Sequence, residues 1–249
     1  MNLSEFFREH PKVALAFSGG VDSAYLLYAA IKWGTDVQAY YVKSAFQPQF
    51  ELNDANRMAQ LLHADLTVIK ADVLADSMIT SNPEDRCYYC KKLIFSSIAK
   101  RAIEDGYTTL LDGTNASDDE DDRPGMRAIK ELSVLSPLRE CGLGKTEIRR
   151  LSRKAGLFTW DKPAYACLAT RISAREAITK EKLERTECAE DYLFSLGFSD
   201  FRVRMAGTLA KIQISASQFQ LLTEKRDAIV QELKKYYSSI LLDLEARDE

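Results

Sequence analysis

No uncharged apolar run in the sequence approaches the length needed to cross a bilayer. The opening residues, MNLSEFFREH, lack the charged-then-apolar order of a secretory signal. These two absences predict a soluble, cytoplasmic protein with no membrane partner. An excess of positive charge is missing as well. Lys and Arg total 34 against 37 Asp and Glu, a net charge of −3, which argues against a general nucleic-acid binder while leaving room for a local basic pocket. His10 and His63 are the only histidines, and they show no metal-ligand spacing. A GxGxxG fingerprint is absent, so nothing points to a dinucleotide. A Walker A loop is missing too: GLGKT at 142–146 ends like one, but Arg139 stands where the pattern needs glycine. Thr146 reads instead as the N-cap of the next helix. There is no internal repeat and no low-complexity tract.

What is present alternates. VALAF, VQAYYV, LTVIKA and YTTLLDG are short apolar runs separated by helix-like stretches such as AYLLYAAIKWG, FELNDANRMAQLLH and KKLIFSSIAKRAIEDG. Such spacing predicts a buried parallel sheet with crossover helices, an α/β doubly wound domain whose ligands lie beyond the carboxyl ends of the strands. From about residue 176 the order becomes helix, two strands, helix, strand. The sequence therefore predicts a main domain over 1–175 and a small α+β domain over 176–249. The acidic run SDDEDD at 117–122 reads as a solvated loop, with metal binding the minority alternative.

The stretch SGGVDS at 18–23 carries the sharpest signal, because it follows a buried-looking strand and opens a helix. Backbone N–H groups and a helix N-terminus there favour an anion. A plain β–α turn explains Gly19 and Gly20 as well. It does not explain Asp22, a carboxylate placed where a phosphate would be repelled. The loop resembles the signature of the PP-loop ATP pyrophosphatases. That resemblance implies that Ser18, Gly19, Gly20 and Ser23 hold the β- and γ-phosphates of ATP as one pyrophosphate unit. It also implies that Asp22 coordinates Mg²⁺ between carboxylate and phosphates.

The cysteines form a second signal. Five are present, an odd number without a secretory signal, which fits a reduced compartment and directs attention to ligands or reactive thiols. Cys87 and Cys90 form a CxxC ahead of a helix, and Cys167 lies in AYACLATR. The CxxC alone fits a redox pair, half a zinc site or half a cluster site. Cys141 and Cys188 lack ligand spacing and read as core or surface residues. Arg202 and Arg204 alternate on the strand-like FRVRMA, so they share one face; a salt-bridged surface strand is the plain alternative.

The longer series DGTN, RPGMRA, SPL, KTEIRRL, WDKPAYACLATR and RVR resembles the LarE-type sulfur transferases over nearly the whole chain. The resemblance implies an enzyme that uses ATP to adenylate a carboxylate of pyridinium-3,5-biscarboxylic acid mononucleotide and replaces it with a thiocarboxylate, for nickel-pincer nucleotide synthesis. It implies that Gly113 lines the nucleotide site and that Arg202 and Arg204 clamp the substrate phosphate. Glu190 matches an acid near the site, with a core role as its equal. Cys87, Cys90 and Cys167 match members that carry a 4Fe–4S cluster and present a sulfide; in other members the counterpart of Cys167 is a single-use sulfur donor. Lys162 and Arg171 are candidates for lowering the Cys167 thiol pKa. A sulfide source and a homo-oligomer are further expectations. A tRNA thiolase or lysidine-type ligase and a non-catalytic ATP-binding module are the rivals. Two departures stand out: Ser173-Ala174-Arg175 where relatives have Pro-Tyr-Gly, and Gln213 where they have an acid.

Overall fold

The computed structural model describes residues 1–118 and 124–247. Most of the acidic run at 117–122 therefore lies outside the described residues. In chain order the elements are α1 (Leu3–Glu9), β1 (Lys12–Ala16), α2 (Val21–Lys32), β2 (Asp36–Lys43), α3 (Gln49–Leu61), β3 (Leu66–Lys70), α4 (Ser77–Thr80), α5 (Arg86–Glu104), β4 (Leu110–Leu111), α6 (Pro124–Glu131), α7 (Pro137–Glu140), α8 (Lys145–Lys154), α9 (Lys180–Ser195), β5 (Arg202–Ala206), β6 (Leu209–Gln213), α10 (Phe219–Leu233) and β7 (Ser239–Leu242). They divide into two compact units, one of residues 1–73 and 85–162, the other of 74–84 and 163–249. The division thus falls earlier than residue 175, and the segment around α4 joins the second unit.

The first unit is built on a four-stranded parallel sheet in the order β3-β2-β1-β4. Side chains alternate across β1: Val13 and Leu15 enter one apolar cluster with α1 and α2, whereas Ala14 enters the other with Tyr40, Val42 and residues of α5 and α6. Both faces are covered, which explains the unbroken apolar runs. The strand order reverses at β1, which has β2 on one side and β4 on the other. Loops leaving the carboxyl ends of β1 and β4 therefore diverge and open a crevice between them. The YTTLLDG run forms only the two-residue β4, continued by a parallel bridge from Leu111 to Leu135. Helix α1 has no counterpart in the sequence reading; it is fixed by a reciprocal cap between Asn2 and Glu5 and by burial of Leu3, Phe6 and Phe7.

The second unit carries a three-stranded sheet, β5-β6-β7, with the first pair antiparallel and the second parallel. Val203, Met205, Ala210 and Ile212 are buried. Arg202 and Arg204 alternate with the first two. The αββαβ order expected from about residue 176 is the order found.

Candidate active site

The loop after β1 turns on Gly19, whose φ of +73° lies in the left-handed region. A Cβ there would come within 3.2 Å of the Ala55 backbone on α3. Gly20 is the N-cap of α2, with no side chain capping the helix, so the first-turn N–H groups are those an anion uses. Ser18 and Ser23 close the loop through their hydroxyls, 3.0 Å apart. Ser18 Oγ also accepts the Gly20 N–H at 3.3 Å. From β4, Gly113 comes so close that a Cβ on it would sit 2.9 Å from the Ser23 nitrogen. Gly113 is required by this contact rather than by its own torsion angles. Asp112 is buried beside it and accepts from Thr114 Oγ1 at 2.5 Å and Ser136 Oγ at 2.7 Å. The crevice thus joins the SGGVDS loop, DGTN and the serine of SPL.

Asp22 is held asymmetrically. Its Oδ2 accepts from Lys145 Nζ at 2.5 Å, whereas Oδ1 is buried and has no hydrogen-bond partner among the described residues. Burial pushes the Asp22 carboxyl above its ordinary range, with Lys145 opposing. A hard cation prefers such a carboxylate oxygen, so the residues present fit Mg²⁺. Lys145 is the residue the sequence reading missed. Its signal lies where GLGKT runs into the KTEIRRL motif. The N-cap of α8 is Gly144, so Thr146 lies inside that helix rather than capping it.

In the second unit, Glu190 is 2% exposed and takes four donors. Arg171 donates through Nε at 2.7 Å and Nη2 at 3.1 Å, Tyr165 Oη at 2.5 Å, and the Val203 N–H at 2.8 Å. Arg171 is held above its ordinary pKa by this partner despite its burial. Arg171 is therefore committed to Glu190, and it lies within electrostatic reach of Cys167. Cys167 itself precedes a 3₁₀ turn, Leu168–Arg171, and its carbonyl accepts from the Thr170 amide and hydroxyl. Lys162 belongs to the first unit and pairs there with Asp54 at 2.6 Å.

Arg202 donates to the Phe201 and Ala164 carbonyls at 2.6 and 2.5 Å and lies 3.6 Å from Asp200. Burial, with Arg171 and Arg247 nearby, brings its pKa down to about 10. The same causes lower that of Arg204. Arg204 donates to Gln213 Oε1 at 2.5 Å and to the Thr170 carbonyl at 2.9 Å. Gln213 in turn donates to Asp243 at 2.7 Å. The missing acid at 213 is thus replaced by an amide that relays Arg204 to a carboxylate one strand away. At the other departure, Arg175 adopts φ +66° and its N–H donates to the Asn82 carbonyl at 2.8 Å.

Cys87 and Cys90 lie inside the first turns of α5, not ahead of the helix. They belong to the first unit and Cys167 to the second. Among the described residues no three His, Cys, Asp or Glu side chains form a group able to hold a metal ion.

No family model matches the chain. An uncharacterized protein of Synechocystis is 37% identical over 98% of this chain and 92% of its own length. An uncharacterized protein of Methanocaldococcus jannaschii is 31% identical over 98% of this chain and 93% of its own. The pyridinium-3,5-bisthiocarboxylic acid mononucleotide synthase of Lactiplantibacillus plantarum is 32% identical over 94% of this chain and 86% of its own. The chain belongs to the LarE family. A tRNA-specific 2-thiouridylase of Pseudothermotoga lettingae is 28% identical over 61% of this chain and 54% of its own length, which places the LarE chain in the PP-loop superfamily of ATP-using sulfur transferases. Among the described residues no helix is long and apolar enough to cross a membrane.

Proposed function

We propose that this LarE-family chain uses ATP to activate a carboxylate of pyridinium-3,5-biscarboxylic acid mononucleotide and converts it to a thiocarboxylate. The near-full-length similarity to the synthase of L. plantarum carries this reading. A substrate carboxylate oxygen attacks the ATP α-phosphorus, the bond to the β-phosphate oxygen breaks, and pyrophosphate leaves. The N–H groups at the start of α2 and the Ser18 and Ser23 hydroxyls bind the departing pyrophosphate. Asp22 Oδ1 would hold Mg²⁺, which neutralises polyphosphate charge when bound. The Arg202 and Arg204 guanidiniums grip the mononucleotide phosphate, a dianion that offsets the repulsion each feels from Arg171 and Arg247. Exclusion of water protects the acyl-adenylate.

Sulfur enters at the acyl carbon and AMP leaves. With Cys167 as donor, its Sγ forms a thioester; loss of the Cα proton then breaks the Cβ–S bond, releasing thiocarboxylate and leaving dehydroalanine. The alternative donor is a sulfide presented by a cluster on Cys87, Cys90 and Cys167, residues drawn from both units. Protein purified without oxygen, given Mg·ATP and the mononucleotide, should yield the thiocarboxylate by mass spectrometry. Iron and acid-labile sulfide that vanish in Cys87→Ala support the cluster route. Absence of iron, with dehydroalanine at 167 after one turnover, supports the sacrificial route. No sulfur in the product overturns the function. Filter binding with tRNA tests the thiolase alternative, light scattering the expected homo-oligomer, and cell fractionation the cytoplasmic location.

A further inference from the structure

Tyr165 lies two residues before Cys167 and shares its partners with the proposed phosphate clamp. Its hydroxyl donates to Glu190 Oε2 at 2.5 Å. Its ring centre lies 4.6 Å from the Arg171 guanidinium carbon and 5.2 Å from that of Arg202, both within reach of cation–π attraction. The same two side chains grip the peptide groups on either side of it. Arg202 Nη2 donates to the Ala164 carbonyl at 2.5 Å, and Arg171 Nη1 donates to the Ala166 carbonyl at 3.0 Å. Further along, Arg204 Nη1 donates to the Thr170 carbonyl at 2.9 Å, and the Thr170 amide and hydroxyl donate back to the Cys167 carbonyl. Arg171, Arg202 and Arg204 together therefore fix the segment that carries the sulfur. Their charges are met differently. Arg171 donates to both oxygens of Glu190, whereas among the described residues the hydrogen bonds of Arg202 and Arg204 run to neutral oxygens, those of Phe201, Ala164, Gln213 and Thr170. A dianion arriving at these two guanidiniums supplies a stronger acceptor than a carbonyl, and the carbonyls sharing those donors feel the change.

We propose that Tyr165 is a positioning residue that ties occupancy of the Arg202–Arg204 clamp to the placement of Cys167. The ring holds Arg202 against the segment it grips, so a phosphate that draws on Arg202 and Arg204 sets that segment as a unit. Sulfur is then presented when a phosphate-bearing substrate is bound, and the acyl-adenylate meets sulfur before water. This inference rests on reading the two arginines as the phosphate clamp and Cys167 as part of the sulfur-transfer site.

Tyr165→Phe keeps the ring and removes the hydroxyl, whereas Tyr165→Leu removes both the hydroxyl and the π face. AMP and thiocarboxylate are measured together in a single turnover of the full chain, purified without oxygen and given Mg·ATP and saturating mononucleotide. Attack by sulfur gives AMP and thiocarboxylate in equal amounts; attack by water gives AMP and returns the carboxylate. Tyr165→Leu should lower thiocarboxylate per AMP roughly tenfold while AMP formation changes less than about threefold, and Tyr165→Phe should keep most of the wild-type ratio. Hydrogen exchange in the wild type needs no variant: amides within 166–171 should slow with the mononucleotide and not with its dephosphorylated nucleoside. Parallel loss of AMP and thiocarboxylate in a Tyr165→Leu protein of native circular dichroism overturns the inference. So does an unchanged ratio, or equal exchange with the two ligands. A wild-type protein that releases AMP but forms no thiocarboxylate overturns the sulfur-transfer reading itself.

Discussion

Asp22 sits where an ionised carboxylate is costly, and that cost belongs to function rather than to folding. Its folded pKa is raised by burial, so in the nucleotide-free protein the native state binds its proton more tightly than the unfolded chain does. Stability from this group is then fully present below the unfolded carboxylate pKa and falls as pH rises through the folded one. Asp22→Asn should abolish ATP cleavage while leaving the thermal midpoint at neutral pH unchanged or higher; a lower midpoint in calorimetry would refute this. Gly113→Ala should act in the opposite way. Its Cβ would meet the Ser23 nitrogen at 2.9 Å, so the loop must shift, with a loss of about 1–3 kcal/mol in urea unfolding and at least tenfold in ATP affinity. Arg204→Met should raise the KM for the mononucleotide roughly ten- to hundredfold while leaving ATP binding intact. Parallel loss of both in kinetics would remove Arg204 from the phosphate clamp. At this scale the loop signature encodes a backbone path, and Gly113 lies against Ser23 of that loop. Lys145 was not legible, since its partner lies 123 positions away.

Beside the strand β5 and the helix α9, the Arg171–Glu190 pair supplies a buried ionic link. Arg171 and Glu190 side chains are 0% and 2% exposed, and the Tyr165 and Val203 donors complete the carboxylate's needs. Breaking such a pair leaves one charge buried alone. Glu190→Ala should therefore cost about 3–5 kcal/mol in chemical denaturation, and a cost under about 1 kcal/mol would contradict this burial. The helices and strands of both units were legible wherever apolar spacing lasted ten residues or formed a run of five. Helix α1 was missed because seven residues carry little periodicity and its stability comes from Phe6 and Phe7 in the core. Strand β4 was overestimated because only Leu110 and Leu111 meet the β1 ladder. The CxxC was placed ahead of α5 rather than within it, since cysteine is a weak indicator of a helix start.

Across the whole molecule, the loop chemistry belongs to one unit and Cys167, Arg202 and Arg204 to the other. The sequence located the change in character near residue 175, where the second α+β pattern begins. The division at residue 162 depends on which backbone Pro163 and its successors pack against, and no local pattern encodes that. Arg149 fixes the end of the first unit by donating to the Trp160 and Lys162 carbonyls at 2.7 and 2.8 Å. The central claim is that ATP is cleaved between its α- and β-phosphates to activate a substrate carboxylate. The most direct measurement is the identity and ratio of nucleotide products, by chromatography, with and without pyridinium-3,5-biscarboxylic acid mononucleotide. AMP and pyrophosphate in equal amounts, formed only with the mononucleotide and lost in Asp22→Asn, is the predicted result. ADP and phosphate, or AMP formed regardless of the mononucleotide, would contradict it.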